Sequence, residues 1–285
     1  MKRTDFRFHE RLRVRWAEID AQQIVFNGNY LTYFDTAISG YWRALAMPYA
    51  PTMVRLGGDL FMRKASVEYV DSARYDDLLQ VGMRMARIGN SSIVFEGAVF
   101  RDDRLLASAE LVYVFADPVA RTAQRVPDAL RELLLAHEAG EPMVEVRLGG
   151  WGELGLHARS LRHEVFVSEQ GLHADLEVDA HDETARHVVA LNRFGQALAT
   201  GRLLQEGPGI GRIGRLACIQ ALRGSGVGQA VLSALLDAAR VRGDTGVVLG
   251  ARTHALDFYR RAGFEVAGEA YEEGGVAHVP LVRLL

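Results

Sequence analysis

Residues 16–37 read WAEIDAQQIVFNGNYLTYFDTA, and this stretch decides the first half of the chain. A carboxylate, Asp20, sits in a short apolar and amide-rich run. From Asn27 the pattern changes: FNGNYLTYFDTAISGYWRALAM, residues 26–47, carries aromatic and aliphatic side chains at helical spacing. The spacing predicts a long helix over about 28–47. An acid just ahead of an apolar helix start joins two chemical elements. A carboxylate can activate water or attack directly, and the unpaired N–H groups of a helix N-terminus can hold the oxyanion that forms on an attacked carbonyl. The plainer alternative is that Asp20 ends a strand or caps a turn.

Outward from this stretch, the chain alternates in the manner of strands. RLRVRWAEID, residues 11–20, puts Leu12, Val14 and Trp16 on one face. DLFMRKASVEYVD (59–71), DLLQVGMRMARIG (77–89), SSIVFEGAVFRD (91–102) and RLLASAELVYVFAD (104–117) follow, with polar breaks between them. One long helix against an antiparallel meander is an α+β layer. VPDALRELLLAHEAGEP (126–142) reads as a helix and a Gly/Pro break, so the domain joint is expected near Glu141, separating residues 1–140 from 141–285. A new cycle then begins: strand 143–150, helix 153–170, a strand pair over 186–204 turning at NRFG, and strand 211–219. A strongly amphipathic helix follows at 226–243, with Val231, Leu235, Leu236 and Ala239 on one face. Strand 246–251, helix 254–263 and strands 264–270 and 276–285 complete it. This half reads as a mixed central sheet with flanking helices.

Composition excludes several classes. With 285 residues, 49% hydrophobic and 24% charged, the chain reads as an ordinary soluble globular protein of about two domains. A net charge of −3 argues against nucleic acid, which demands clustered Lys and Arg. No apolar run approaches the roughly 18 residues of a membrane helix, and MKRTDFRFHERLRVRW has no apolar core of a signal peptide. Cys218 is the only cysteine, so no disulfide forms within the chain; a cytoplasmic setting fits, and a small core residue is its plain role. No metal is expected: His157, His163, His173, His181 and His187 show no compact ligand spacing, and the acids around His173 and His181 are better read as loop polarity.

In the second half the most specific motif is CIQALRGSGVGQAVLSALL, residues 218–236. A strand ends near Ile219, and Arg223-Gly224-Ser225-Gly226-Val227-Gly228 opens a helix. Such a loop lets a ligand approach main-chain N–H groups at the positive end of a helix, which suits a pyrophosphate, and Arg223 adds a full charge. The spacing is neither that of a dinucleotide fingerprint nor of a Walker loop, and a tight strand–helix turn is the plain alternative.

In that context Arg-Gly-x-Gly-x-Gly resembles the acetyl-CoA loop of GNAT-type N-acetyltransferases. HALDFYRRAGFEVAGEAYEEGGVAHVPLVRL (254–284) is similar to their C-terminal signature, and RHEVFVSEQGLHADLEVDAHDETARHVVAL (162–191) to a small ElaA-like branch. The likeness spans about residues 143–285. It implies that the main chain of Leu216, Ala217 and Cys218 pairs with the pantetheine arm, that the amides of Arg223 to Gly228 hold the pyrophosphate, and that Tyr259 protonates the departing CoA thiolate. One departure is Arg252, seven residues before the tyrosine, where the family often has Asn and where the resemblance implies a contact to the CoA tail. For the base that deprotonates the amine, Glu169, Glu177, Asp179, Glu183 and His187 are candidates, although most of this acidic run reads as solvated surface.

In the first half, residues 14–37 resemble the signature of hotdog-fold acyl-CoA thioesterases of the 4-hydroxybenzoyl-CoA/YbgC type, and FMRKASVEYVDSARYDDLLQV (61–81) their second strand and turn. The likeness spans about residues 6–135. It implies an antiparallel sheet wrapped round the long helix, Asp20 as general base or nucleophile, and the N–H of Asn27 as oxyanion donor. Asn29 and Tyr30 would lie beside the pocket. Arg63 and Lys64 are candidates for CoA phosphates, against the plain reading of solvated surface. The resemblance also implies pairing through an edge strand into a homodimer or larger. Gln23 departs from the glycine frequent three residues after the acid, and its Cβ restricts the loop's backbone or narrows the entrance.

Together the two likenesses imply a bifunctional enzyme of CoA thioesters: acyl-CoA hydrolysis by the first half, and acetyl transfer from acetyl-CoA to an amine-bearing small molecule or peptide by the second. The alternative is a dimerising acyl-CoA-binding first half with only the transferase active. A sensor in which both pockets merely bind CoA is a third reading.

Overall fold

A computed structural model describes residues 1–273 and 275–285. The chain divides into two compact units, Met1–Met143 and Val144–Leu285.

The first unit runs β1 (Phe8–Arg13), α1 (Asn29–Ala44), α2 (Tyr49–Leu56), β2 (Asp59–Tyr69), β3 (Leu78–Ile88), β4 (Ser92–Arg101), β5 (Arg104–Ala116) and α3 (Asp128–Ala139). Its five strands form one antiparallel sheet in the order β1-β3-β4-β5-β2. Helix α1 buries Tyr30, Tyr33, Phe34, Ala37, Ile38, Tyr41 and Trp42, the stripe that its period predicts. A Cβ on Gly97 of β4 would lie 2.6 Å from the Phe34 ring, so glycine there lets the helix sit close to the sheet. Phe95 meets Tyr41 and Trp42 edge-on, each at 5.6 Å between ring centres.

Local departures from the sequence reading have local causes. The strand expected over residues 11–20 ends at Arg13, because the Arg15 N–H donates to the Glu18 carboxylate and closes a 3₁₀ turn over Trp16–Glu18. Val14 is buried as expected, but Trp16 is 75% exposed and packs edge-on against Tyr75. Helix α1 stops at Ala44, short of the expected Met47, and Pro48 separates it from α2, which the sequence reading passed over.

The second unit runs β6 (Val144–Gly149), α4 (Trp151–Arg162), β7 (Arg186–Asn192), β8 (Ala197–Gly207), β9 (Ile210–Cys218), α5 (Val227–Arg242), β10 (Gly246–Arg252), α6 (Leu256–Arg261), β11 (Glu265–Val266), β12 (Tyr271–Glu273) and β13 (Val276–Leu284). The sheet order is β11-β13-β10-β9-β8-β7-β6, with β12 on β13, and only β9 and β10 are parallel. Val231, Leu235, Leu236 and Ala239 of α5 are buried together, as their spacing predicts. The helix expected over 153–170 is instead α4 followed by a π-helical segment, His163–Glu169. Residues 264–270 supply only the short β11, and β12 was not foreseen.

Two features open the sheet. β10 pairs with β9 only at Gly246–Ile210, Val247–Gly211 and Val248–Arg212. Beyond those pairs each strand runs on, to Arg252 and Cys218, without the other. β9 is also bulged against β8 between Arg202 and Thr200, and Arg215 at the bulge has φ of 52°. A non-glycine residue held there is strained backbone, which packing must maintain.

Candidate functional site

In the first unit the loop between the Trp16–Glu18 turn and α1 is tied in several places. The Asp20 N–H donates to the Ile24 carbonyl at 2.9 Å, the Gln23 N–H donates to the Asp20 carbonyl at 3.0 Å, and Asp20 Oδ1 accepts from the Gln22 N–H at 2.8 Å. Asp20 therefore heads a tight turn, as the plain reading held, and also faces a cleft of about 350 Å³ that Asn27 and Tyr30 line with Phe26, Tyr69 and Asp71. Among the described residues the Asn27 N–H has no acceptor. The Asn27 carbonyl accepts from the Tyr69 hydroxyl at 3.0 Å, which orients that peptide.

Sequence reasoning missed Tyr69 and Glu18. Glu18 is 6% exposed, and its carboxylate accepts from the Tyr33 hydroxyl at 2.7 Å and from the N–H and Nε of Arg15 at 2.8 and 2.7 Å. Burial acts to raise its pKa, but these bonds hold it below the ordinary value. The Glu18 carbonyl accepts from the Phe26 N–H and from Asn29 Nδ2, both at 2.9 Å. Asn29 thus turns back to the loop rather than lining the cleft. Neither Arg63 nor Lys64 lines it, and Lys64 pairs with Glu110 at 3.0 Å. An acid two residues before Asp20 in an apolar run was the only trace of Glu18 in the sequence.

Gln23 has φ of 60°, the left-handed region. Its place in the turn asks for glycine, and the side chain tolerates the strain. Left-handed backbone costs an L-residue roughly 1–2 kcal/mol, and glycine's freedom in the unfolded chain offsets about 0.5–1 kcal/mol of any relief. Gln23→Gly is therefore expected to stabilise the first unit by about 0.5–1 kcal/mol in urea unfolding followed by tryptophan fluorescence; a loss of stability would show that the turn is not strained.

In the second unit a cavity of about 410 Å³ occupies the opening between β9 and β10. Leu216 and Tyr259 both line it. Ala217 and Cys218 do not, nor does the glycine loop. Ala217 and Cys218 pair with Thr200 and Ala199 of β8 on one edge, and their other edge has no strand. Tyr259 is 8% exposed, its ring edge-on to Phe258 and Phe264 at 5.0 and 5.8 Å. Burial pushes its phenol up to about 12, so it keeps its proton at neutral pH. His278 also lines the cavity. Its Nδ1 lies 2.9 Å from the Val276 carbonyl, so in the neutral ring Nδ1 donates there and Nε2 is the accepting nitrogen.

The loop after β9 has two glycines with positive φ, Gly224 at 81° and Gly226 at 92°, and Gly226 caps α5. The N–H groups of Gly224, Gly226 and Val227 have no acceptor among the described residues. Ser225 Oγ donates to the Leu222 carbonyl at 2.6 Å. The Arg223 guanidinium grips the Glu169 carboxylate at 2.7 and 2.6 Å and donates to the Cys218 carbonyl at 3.2 Å. That pairing holds Glu169 below the ordinary carboxylate range.

The acidic run expected at the solvated surface is corrected by the structure. Arg162, 1% exposed, donates to Glu177 Oε1 at 2.5 Å and to both oxygens of Asp182 at 2.8 and 2.9 Å, beneath the Trp151 ring. Arg202 grips Asp179 with two bonds of 2.7 Å and also reaches Asp182 at 2.7 Å; Arg215 meets Asp179 at 2.9 Å. Three guanidinium groups and three carboxylates thus fasten residues 162–182 to β8 and β9. Burial acts to raise the Asp182 pKa, but the bonds from Arg162 and Arg202 hold it well below the usual range; the Arg202 bond lowers that of Asp179. His187 is fully buried, and burial lowers its pKa; the neutral ring donates from Nε2 to the Asp182 carbonyl at 2.9 Å. None of Glu169, Glu177, Asp179, Glu183 or His187 lines the cavity. Charge pairing gave most of these residues a structural role that spacing could not reveal.

A sequence profile described as the thioesterase superfamily matches residues 22–108, and one described as an acetyltransferase (GNAT) domain matches residues 153–285. The chain is 31% identical over 124 residues to the uncharacterized N-acetyltransferase YjcF of Bacillus subtilis, spanning 43% of this chain and 87% of that protein. It is 34% identical over 127 residues to ElaA of Escherichia coli, spanning 43% and 82%. Its first half is 32% identical over 102 residues to a protein of Aquifex aeolicus named provisionally as an esterase, spanning 36% and 79%. The chain belongs to both families, joining a thioesterase-superfamily domain of hotdog fold to a GNAT acetyltransferase domain. Both kinds of domain use CoA thioesters. No helix among the described residues is long and apolar enough to cross a membrane, and no group of three or more His, Cys, Asp or Glu among them is placed to hold a metal ion.

Proposed function

We propose that the chain is a bifunctional cytoplasmic enzyme that hydrolyses an acyl-CoA in its first unit and transfers an acetyl group from acetyl-CoA to an amine in its second. In the first, Asp20 takes a proton from water, whose oxygen attacks the thioester carbonyl. The Asn27 N–H holds the oxyanion, and its collapse expels the CoA thiolate. The support is that a carboxylate and an N–H without an acceptor line one cleft. Gln23, the residue that favours a merely acyl-CoA-binding first unit, does not line that cleft. Strand β2 at the sheet edge, with Phe61, Met62 and Tyr69 exposed, supports pairing into a homodimer.

In the second unit the pantetheine arm pairs along the open edge of Leu216, Ala217 and Cys218, and within the loop from Arg223 to Gly228 the N–H groups of Gly224, Gly226 and Val227 hold the pyrophosphate, those of Arg223 and Ser225 already donating to Gln220 and Leu222. The amine attacks the acetyl carbonyl and yields its proton to Nε2 of His278, while Tyr259 protonates the leaving thiolate. The observation that carries this reading is a neutral phenol and an accepting imidazole nitrogen in one cavity beside an open strand edge. Tyr259→Phe and His278→Gln are each expected to lower kcat for acetyl transfer about 10²-fold or more, with KM for acetyl-CoA little changed, in an assay of thiol release. Unchanged kcat in both would remove the proposed acid and base.

A further inference from the structure

We propose that the amine accepted by the second unit carries an oxyanion, a carboxylate or a phosphate, and that Arg252 receives it. The inference rests on the acetyltransferase reading of this cavity and names its acceptor class. Among the described residues the cavity wall contains four arginines, Arg202, Arg212, Arg215 and Arg252, and two histidines, His254 and His278, but no carboxylate. Three of those arginines already have acids behind the wall: Arg202 and Arg215 meet Asp179 at 2.7 and 2.9 Å, and Arg212 meets Glu206 at 2.5 Å. Arg252 has no such partner among the described residues. It is half-buried at the end of β10, opposite His278 of β13. A cavity-lining guanidinium with no carboxylate beside it is open to an anion, and its fork matches a carboxylate or a phosphate with two parallel bonds.

In the proposed reading the coenzyme's phosphates do not supply the anion that Arg252 lacks. The proposed function places those phosphates at the loop from Arg223 to Gly228, and no residue of that loop lines the cavity. Gln170 lines the wall with its side-chain oxygen buried and without a donor, a place for an N–H of the acceptor. Polyamines and lysine-rich peptides would bring further cations against Arg252 and are disfavoured.

The test compares matched amines with the full chain and acetyl-CoA, reading thiol release: ethanolamine against phosphoethanolamine, alaninamide against alanine, and spermidine. At least one anionic member is expected to exceed its neutral partner tenfold or more in kcat/KM; the pair that does so tells phosphate from carboxylate. Arg252→Gln is expected to abolish that margin through KM and to leave the neutral partner unchanged, and Arg252→Lys to retain part of it. Equal or better turnover of the neutral amines or spermidine overturns the inference, as does an equal loss on all amines in both variants. No turnover of any amine by protein that still binds acetyl-CoA overturns the transferase reading itself and this inference with it.

Discussion

Asp20→Asn is expected to lower acyl-CoA hydrolysis by roughly 10²–10⁴-fold, the range for removing a general base. The substitution isolates the chemistry, because asparagine keeps the side-chain oxygen that accepts from the Gln22 N–H and so preserves the turn. The cleft keeps its size and its wall of Phe26, Tyr30 and Tyr69. KM should therefore change little, while kcat falls. The measurement is thiol release from a panel of acyl-CoAs of varied chain length, with wild type and variant compared on the best substrate. Equal rates would leave the first unit without its proposed base. A wild type that binds acyl-CoA tightly but hydrolyses none of the panel would instead favour a binding module.

Arg162→Met is expected to destabilise the second unit by about 3–5 kcal/mol, the usual consequence of removing one partner of a buried ion pair. The loss is large because Glu177 and Asp182 are only 2% and 1% exposed and would remain charged where water cannot reach them. Methionine keeps most of the volume, so charge rather than a cavity dominates. The urea midpoint of the second unit reports the effect, and a loss below about 1 kcal/mol would show that the network is solvated after all.

The same groups set the direction of the pH dependence. Asp182 and Asp179 have folded pKa values below their unfolded ones. They contribute stability above an unfolded value of about 3.9, lost as pH falls through the folded values. His187, also depressed on folding, adds a loss that begins as pH falls below an unfolded value of about 6.5. Stability of the second unit should thus decline from mildly acidic pH downward, with a shallower slope below pH ~4 in Arg162→Met.

Patterns that live within one element are legible in the sequence alone. The buried stripe of α1, the apolar face of α5 and the glycine turn before it follow from periods and backbone freedom, which neighbouring residues determine alone. Asp20, Asn27 and Tyr30 were likewise named from a contiguous run, and one cleft collects them. What a charge does is different. Arg162 with Asp182, and Arg223 with Glu169, are 20 and 54 residues apart, and nothing in the sequence separates a buried carboxylate from a solvated one. Tyr69 reaches the Asn27 carbonyl across 42 residues, and Arg252 stands opposite His278 only because β10 and β13 pair. Short-range sterics and hydrophobic period specify helices, strands and turns from local sequence. The pairing of charges and the walls of a cavity depend on which distant segments the folded chain brings within a few ångströms, where removal from water gives each charge its partner and its chemistry.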